Sequence, residues 1–117
     1  MADFRKLQVW QKAHALSLES AKFAGMFTRK RGGLGDQIMR AADAIPSNIA
    51  EGRGSSTDVD FSRYLTMAIR EANELENHIQ RAADSGLCAR NQADALMTST
   101  VEVRRMLIGL RKRLVQG

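Results

Sequence analysis

This chain has one cysteine, one proline, one tryptophan, one tyrosine and two histidines among 117 residues, and each scarcity closes off a class of function. Cys88 has no second thiol to pair with, so no internal disulfide forms, which fits a reducing compartment. No histidine neighbours it in sequence, and it reads as a small buried or capping thiol rather than a nucleophile. No apolar run approaches the ~18 residues that a spanning helix needs. The start, Met1-Ala2-Asp3-Phe4-Arg5-Lys6, carries no apolar signal core, so the expected location is the cytoplasm, with no membrane partner. Aromatics are too few to alternate with cations as a base-stacking platform, which argues against sequence-specific recognition of single strands. Strand signals are absent throughout.

Catalytic material is equally thin. Helical bundles hold di-iron centres through Glu-x-x-His motifs. Gln11 stands three residues before His14 and Leu75 three before His78, so neither histidine qualifies. Glu71, Glu74 and Glu76 lack a carboxylate-rich partner helix, and Glu74 with His78 reads as a pair on a solvated face. The Arg-to-His spacing of some helical nucleases fails, because positions 71–73 are Glu, Ala and Asn and positions 7–9 are Leu, Gln and Val. Gly52-Arg53-Gly54 is too short for a phosphate loop and has no GK[ST] element. No Ser/His/Asp set is visible. The expectation is a protein without enzymatic activity, metal or cofactor.

What the chain does have is helical periodicity. Val9, Ala13, Leu16, Ser20, Phe23 and Phe27 recur in steps of four and three, predicting a first helix over about 4–27. Thr28-Arg29-Lys30-Arg31-Gly32-Gly33 interrupts it with charge and glycine. A second helix over about 34–50 carries Leu34, Ile38, Ala41, Ile45 and Asn48 on one stripe, with Asn48 expected as a buried polar residue that fixes register. It contains the lone Pro46, which removes an N–H and clashes with the carbonyl four residues back, so a kink is expected there.

Gly52-Arg53-Gly54-Ser55-Ser56 reads as a loop, and Thr57 with Asp60 as the cap of a third helix. That helix has the cleanest repeat: Phe61, Leu65, Ala68, Ala72, Leu75, Ile79 and Ala82. Gly86 is expected to close it as a left-handed residue. A fourth helix starts between Cys88 and Asn91 with Leu96, Thr100, Val103, Leu107, Leu110 and Leu114 as its stripe. Short loops between the four segments predict an all-α, antiparallel up-down-up-down four-helix bundle forming one domain over residues 1–117.

The fourth helix has a second apolar set, Met97, Val101, Ile108 and Val115, offset from the first. A bundle helix needs an outer face, so this set is expected to bury itself against another subunit, with Trp10 and Tyr64 as further interface candidates. The net charge is +5, and its cations cluster. Arg104, Arg105, Arg111, Lys112 and Arg113 follow or adjoin the last acidic residue, Glu102, and Arg29, Lys30 and Arg31 form a second patch in the first loop. These cations either complement helix C-termini, worth ~0.3–1 kcal/mol each, or bind phosphate.

Asp3-Phe4-Arg5-Lys6-Leu7-Gln8-Val9-Trp10-Gln11-Lys12-Ala13 and Ile45-Pro46-Ser47-Asn48-Ile49-Ala50-Glu51-Gly52 together resemble a bacterial family of four-helix bundles. Gly33 to Ala42 and Phe61-Ser62-Arg63-Tyr64-Leu65 match in kind and order. The family includes proteins encoded by intervening sequences in large-subunit (23S) ribosomal RNA genes. The resemblance implies a homo-oligomeric ring, most often a pentamer, and a distant likeness to the accessory protein of diversity-generating retroelements, which binds a reverse transcriptase and nucleic acid. It implies structural roles for Pro46, Ser47, Asn48, Glu51 and Gly52 and attaches no catalytic residue. The chain departs from the pattern at Cys88, where a serine-like cap is usual. The functional expectations are a ring-forming bundle that binds RNA or DNA through its basic surface, or a scaffold for a protein partner without nucleic-acid binding.

Overall fold

The computed structural model describes residues 3–27 and 33–116, and the order of its elements follows from local chemistry. The chain opens with a 3-10 turn at Phe4–Lys6, where the Asp3 carboxylate accepts the Arg5 N–H at 3.0 Å. A cap of this kind satisfies an N–H that has no partner inside the helical turn. Leu7 is extended, and α1 starts only after it, over Gln8–Ala24. The single helix expected from Phe4 to Phe27 is therefore broken at its start, and it ends early in a turn that seats Phe27 edge-on against Phe23.

The second helix, α2 (Leu34–Arg53), runs through Pro46. Proline gives the turn no N–H and crowds the carbonyl of Ala42. The next two side chains act on the carbonyls that follow: Ser47 Oγ donates to the Asp43 carbonyl at 2.9 Å, and Asn48 Nδ2 to that of Ala44 at 2.8 Å. Asn48 is half-buried and bonds within its own helix, so it is not the buried register-fixing residue expected from its place on the stripe.

The third helix, α3 (Asp58–Asp84), is capped by Thr57, whose hydroxyl accepts the Asp60 N–H. Asp58 and Asp60 in the first turn complement the positive end of the helix dipole. At its far end Leu87 N–H reaches the Ala82 carbonyl and Gly86 N–H that of Ala83, a Schellman motif that requires the left-handed φ of +72° at Gly86. The fourth helix, α4 (Arg90–Gln116), begins within the expected window.

Each helix contacts its neighbours in the cyclic order α1, α2, α3, α4, with α1 and α4 touching least. Ascending positions on one helix meet descending positions on the next. Ser17 of α1 bonds Asp43 of α2, while Ala24 lies beside Gly35. On α3 and α4, Thr66 meets Arg111 and Glu76 meets Arg104. The bundle encloses Leu16, Ile38, Ile45, Ile49, Leu65, Leu75, Ile79 and Leu107, all fully buried, each contributing ~1.5–3 kcal/mol through the apolar area removed from water. Ala41, Ala42, Ala68 and Ala72 let α2 and α3 approach closely. Among the described residues, no helix is long and apolar enough to cross a membrane.

Candidate functional site

The fourth helix projects two kinds of side chain away from the core. At 3.6 residues per turn, Met97, Val101, Ile108 and Val115 fall on one strip, displaced toward α3 from the mid-line of the outer face. Met97 and Val101 are half-buried, while Ile108 is 40% and Val115 73% exposed. Arg105 and Lys112 stand four residues after Val101 and Ile108, so they form the adjoining strip, both exposed. Arg113 turns toward the α1 side, where with Arg105 it rims a groove of about 360 Å³ floored by Leu7, Val9, Met106 and Leu110.

The C-terminal cations thus divide in two. Arg104 is only 23% exposed, pairs with Glu76 and donates to Asn73 Oδ1 at 3.0 Å. Arg111 is half-buried and donates to Thr66 Oγ1 at 3.2 Å. Both face α3 and tie the two helices together. Arg105, Lys112 and Arg113 remain available to a ligand. Arg29, Lys30 and Arg31 lie outside the described residues.

The other interface candidates are elsewhere. Trp10 is two turns before Ser17 on the side of α1 that meets α2. There it stacks on His14, ring centroids 4.7 Å apart and planes within 10°, and takes the edge of Phe4 at 5.1 Å. Tyr64 packs against Gly52 at the turn between α2 and α3, beside a polar pocket lined by Glu51, Ser55, Asp60 and Arg63. The aromatic cluster was hidden in the sequence because Phe4 reaches Trp10 only when the 3-10 turn folds back. Gln11 Nε2 holds that turn through the Arg5 carbonyl at 2.9 Å.

Glu74 and His78 do not share a solvated face. His78 is 7% exposed and buried against the neighbouring helices, with Nε2 3.4 Å from Glu74 Oε1 and Nδ1 without a hydrogen-bond partner. Burial pushes the nearby Glu71 carboxyl above the usual carboxylate range, the charge of Glu74 adds to the rise, and His78 opposes it. Among the described residues, no group of three or more His, Cys, Asp or Glu side chains is placed to hold a metal ion. Burial also raises the Cys88 thiol, against the opposing charge of Arg90, which keeps it protonated and poorly nucleophilic.

A family model described as 23S rRNA-intervening sequence protein matches residues 5–109. A crystal structure of a protein of unknown function from the S23 ribosomal protein family of Bacteroides thetaiotaomicron superposes with a TM-score of 0.83. It is 23% identical over 89% of this chain and 98% of that one, a likeness of fold. No curated protein matches.

Proposed function

The chain belongs to the 23S rRNA-intervening sequence protein family, and from that premise we propose that it is a non-enzymatic cytoplasmic bundle that self-associates into a ring and binds RNA or DNA phosphates. The observation that supports this reading is the placement of an apolar strip and a cationic strip side by side on α4. Self-association through Met97, Val101 and Ile108 would remove the apolar strip from water and leave Arg105, Lys112 and Arg113 repeated around the assembly. A pentamer is the ring that the family resemblance implies. Repetition of a weak phosphate-binding patch on a rigid frame raises avidity with no new contact.

The test is binding of a mixed RNA and DNA pool across a salt series, on protein whose assembled mass is measured in the same run. Affinity that falls steeply with salt is expected, and neutralising Arg105, Lys112 and Arg113 should flatten the slope by ~0.7–0.9 per lost phosphate contact. An unchanged slope in that triple variant rejects the patch.

A second reading, a scaffold for a protein partner, is favoured by the groove along the α1–α4 seam, whose apolar floor has no use for a phosphate. Absence of nucleic-acid binding at low salt, with the assembly intact, selects it.

A further inference from the structure

Trp10 stacks on His14 and takes the edge of Phe4, and the Arg5 guanidinium lies 5.5 Å from the Phe4 ring centre, so the four side chains form one continuous cluster. Asp3, the 3-10 turn and Gln11 build its lower end. His14 is its upper end. Trp10 stacks on one face of that imidazole, and the residue is nevertheless exposed to solvent. His14 has no carboxylate within ion-pair distance among the described residues, and the exposed Lys6 on the turn adds a cation beyond the Arg5–Asp3 pair.

A flat π-surface already held parallel by a neighbouring ring offers a planar ligand a partner with little ordering left to do. Nucleobases are such ligands when unpaired, because in a duplex both of their faces are already stacked. Nearby cations then find the attached phosphates. We infer that His14, supported by Trp10, is a stacking site for an unpaired nucleobase, so the nucleic acid this protein binds is single-stranded. This rests on the nucleic-acid reading above and narrows it. It adds a base contact on the α1–α2 side of the bundle to the phosphate contacts of the α4 strip.

The experiment compares His14→Ala, His14→Tyr and the unaltered protein for binding a dye-labelled unstructured single strand and a duplex of equal length, by fluorescence anisotropy at low salt. His14 is exposed and makes no inter-helix hydrogen bond that its loss would break. The unaltered protein should prefer the single strand, His14→Ala should weaken that binding roughly tenfold with the duplex unaffected, and His14→Tyr should restore it. Addition of the single strand should change the emission of Trp10, the only tryptophan. Equal binding of both forms with no effect of His14→Ala overturns the stacking site and leaves phosphate binding by α4 intact. No binding of either form overturns both.

Discussion

A methyl group placed on Gly52 would meet Cβ of Tyr64 at 2.8 Å, and Cδ1 of Phe61 at the same distance. Tyr64 Cβ is fixed to the backbone of α3, so it cannot swing aside as the end of a flexible side chain would. The glycine is therefore the point at which the last turn of α2 and the first turns of α3 come together. Gly52→Ala should destabilise the protein by about 1–3 kcal/mol through overpacking, even though alanine gains up to ~1 kcal/mol in helix propensity. Gly54 provides the control. Its added methyl meets nothing closer than 3.6 Å and its φ of −81° suits any residue. Gly54→Ala should be neutral or stabilise by up to ~1 kcal/mol. Urea unfolding of both variants checks the pair, and equal effects would show that the Gly52–Tyr64 approach is not tight.

The Pro-Ser-Asn run has a local explanation in the donors of Ser47 and Asn48. Proline leaves the helix short of one N–H at Ala42, and the two side chains add donors at Asp43 and Ala44. Removing either donor returns its carbonyl to weaker satisfaction. Asn48→Ala should cost about 0.5–1.5 kcal/mol, and Ser47→Ala less, because Ser47 is exposed and water replaces its hydroxyl. Thermal unfolding measures both. A loss in Ser47→Ala larger than in Asn48→Ala would contradict the assignment.

Adjacent arginines on α4 should behave in opposite ways. Arg104 joins α3 through Glu76 and Asn73, so Arg104→Ala should cost on the order of 1 kcal/mol, a charged hydrogen bond discounted for partial exposure. Arg105 has no such partner among the described residues, and Arg105→Ala should stay within ~0.5 kcal/mol of the unaltered protein. If nucleic acid is bound, affinity should follow Arg105 and stability Arg104. Affinity that depends only on Arg104 would mean that the α3-facing cations are the ones exposed to ligand.

Glu71 gives a pH dependence of defined sign. Its folded-state pKa is raised by burial and by Glu74. Between the unfolded value, ~4.3, and the folded one, the native state binds more protons than the unfolded state, so stability falls as pH rises through this window. Above it the ionised carboxylate is a constant cost. Glu71→Gln, which imitates the protonated form, should raise stability at neutral pH by less than about 1 kcal/mol. The gain should vanish in acid below the unfolded value. A gain that persists there would point to a cause other than ionisation.

The stripes of α1 and α3 were legible because periodicity alone decides which positions face inward, and every residue on both is buried, Ser20 included. The Gly86 closure was legible for a similar reason, since only glycine adopts that φ cheaply. Three features were not. The break at Leu7, where the backbone turns extended (ψ 124°), leaves the spacing of the stripe from Val9 onward unaltered, so periodicity does not record it. His78 is buried because of where the neighbouring helices lie, which the spacing to Glu74 does not record. Arg104 and Arg111 differ from Arg105 and Lys112 only in the register of α4 against α3, so all four look alike as a run of positive charge.

That same register makes the proposed self-association separable from folding. Ile108 lies on the apolar strip but is 40% exposed in the single chain, so a charge there is solvated when the chain is alone and would be buried in the proposed assembly. Burying an unpaired carboxylate costs several kcal/mol in practice. Ile108→Asp should therefore reduce the mass measured by light scattering to that of a single chain while the helical circular dichroism remains. Leu107, one position earlier, is fully buried in the bundle core. Leu107→Asp should unfold the chain outright, which fixes the contrast between the two faces of one turn. The unaltered protein should also unfold at a temperature that rises with concentration, and Ile108→Asp should lose that dependence. If Ile108→Asp retains the mass of the unaltered assembly, the copies meet through another surface and the strip on α4 is free for a different partner.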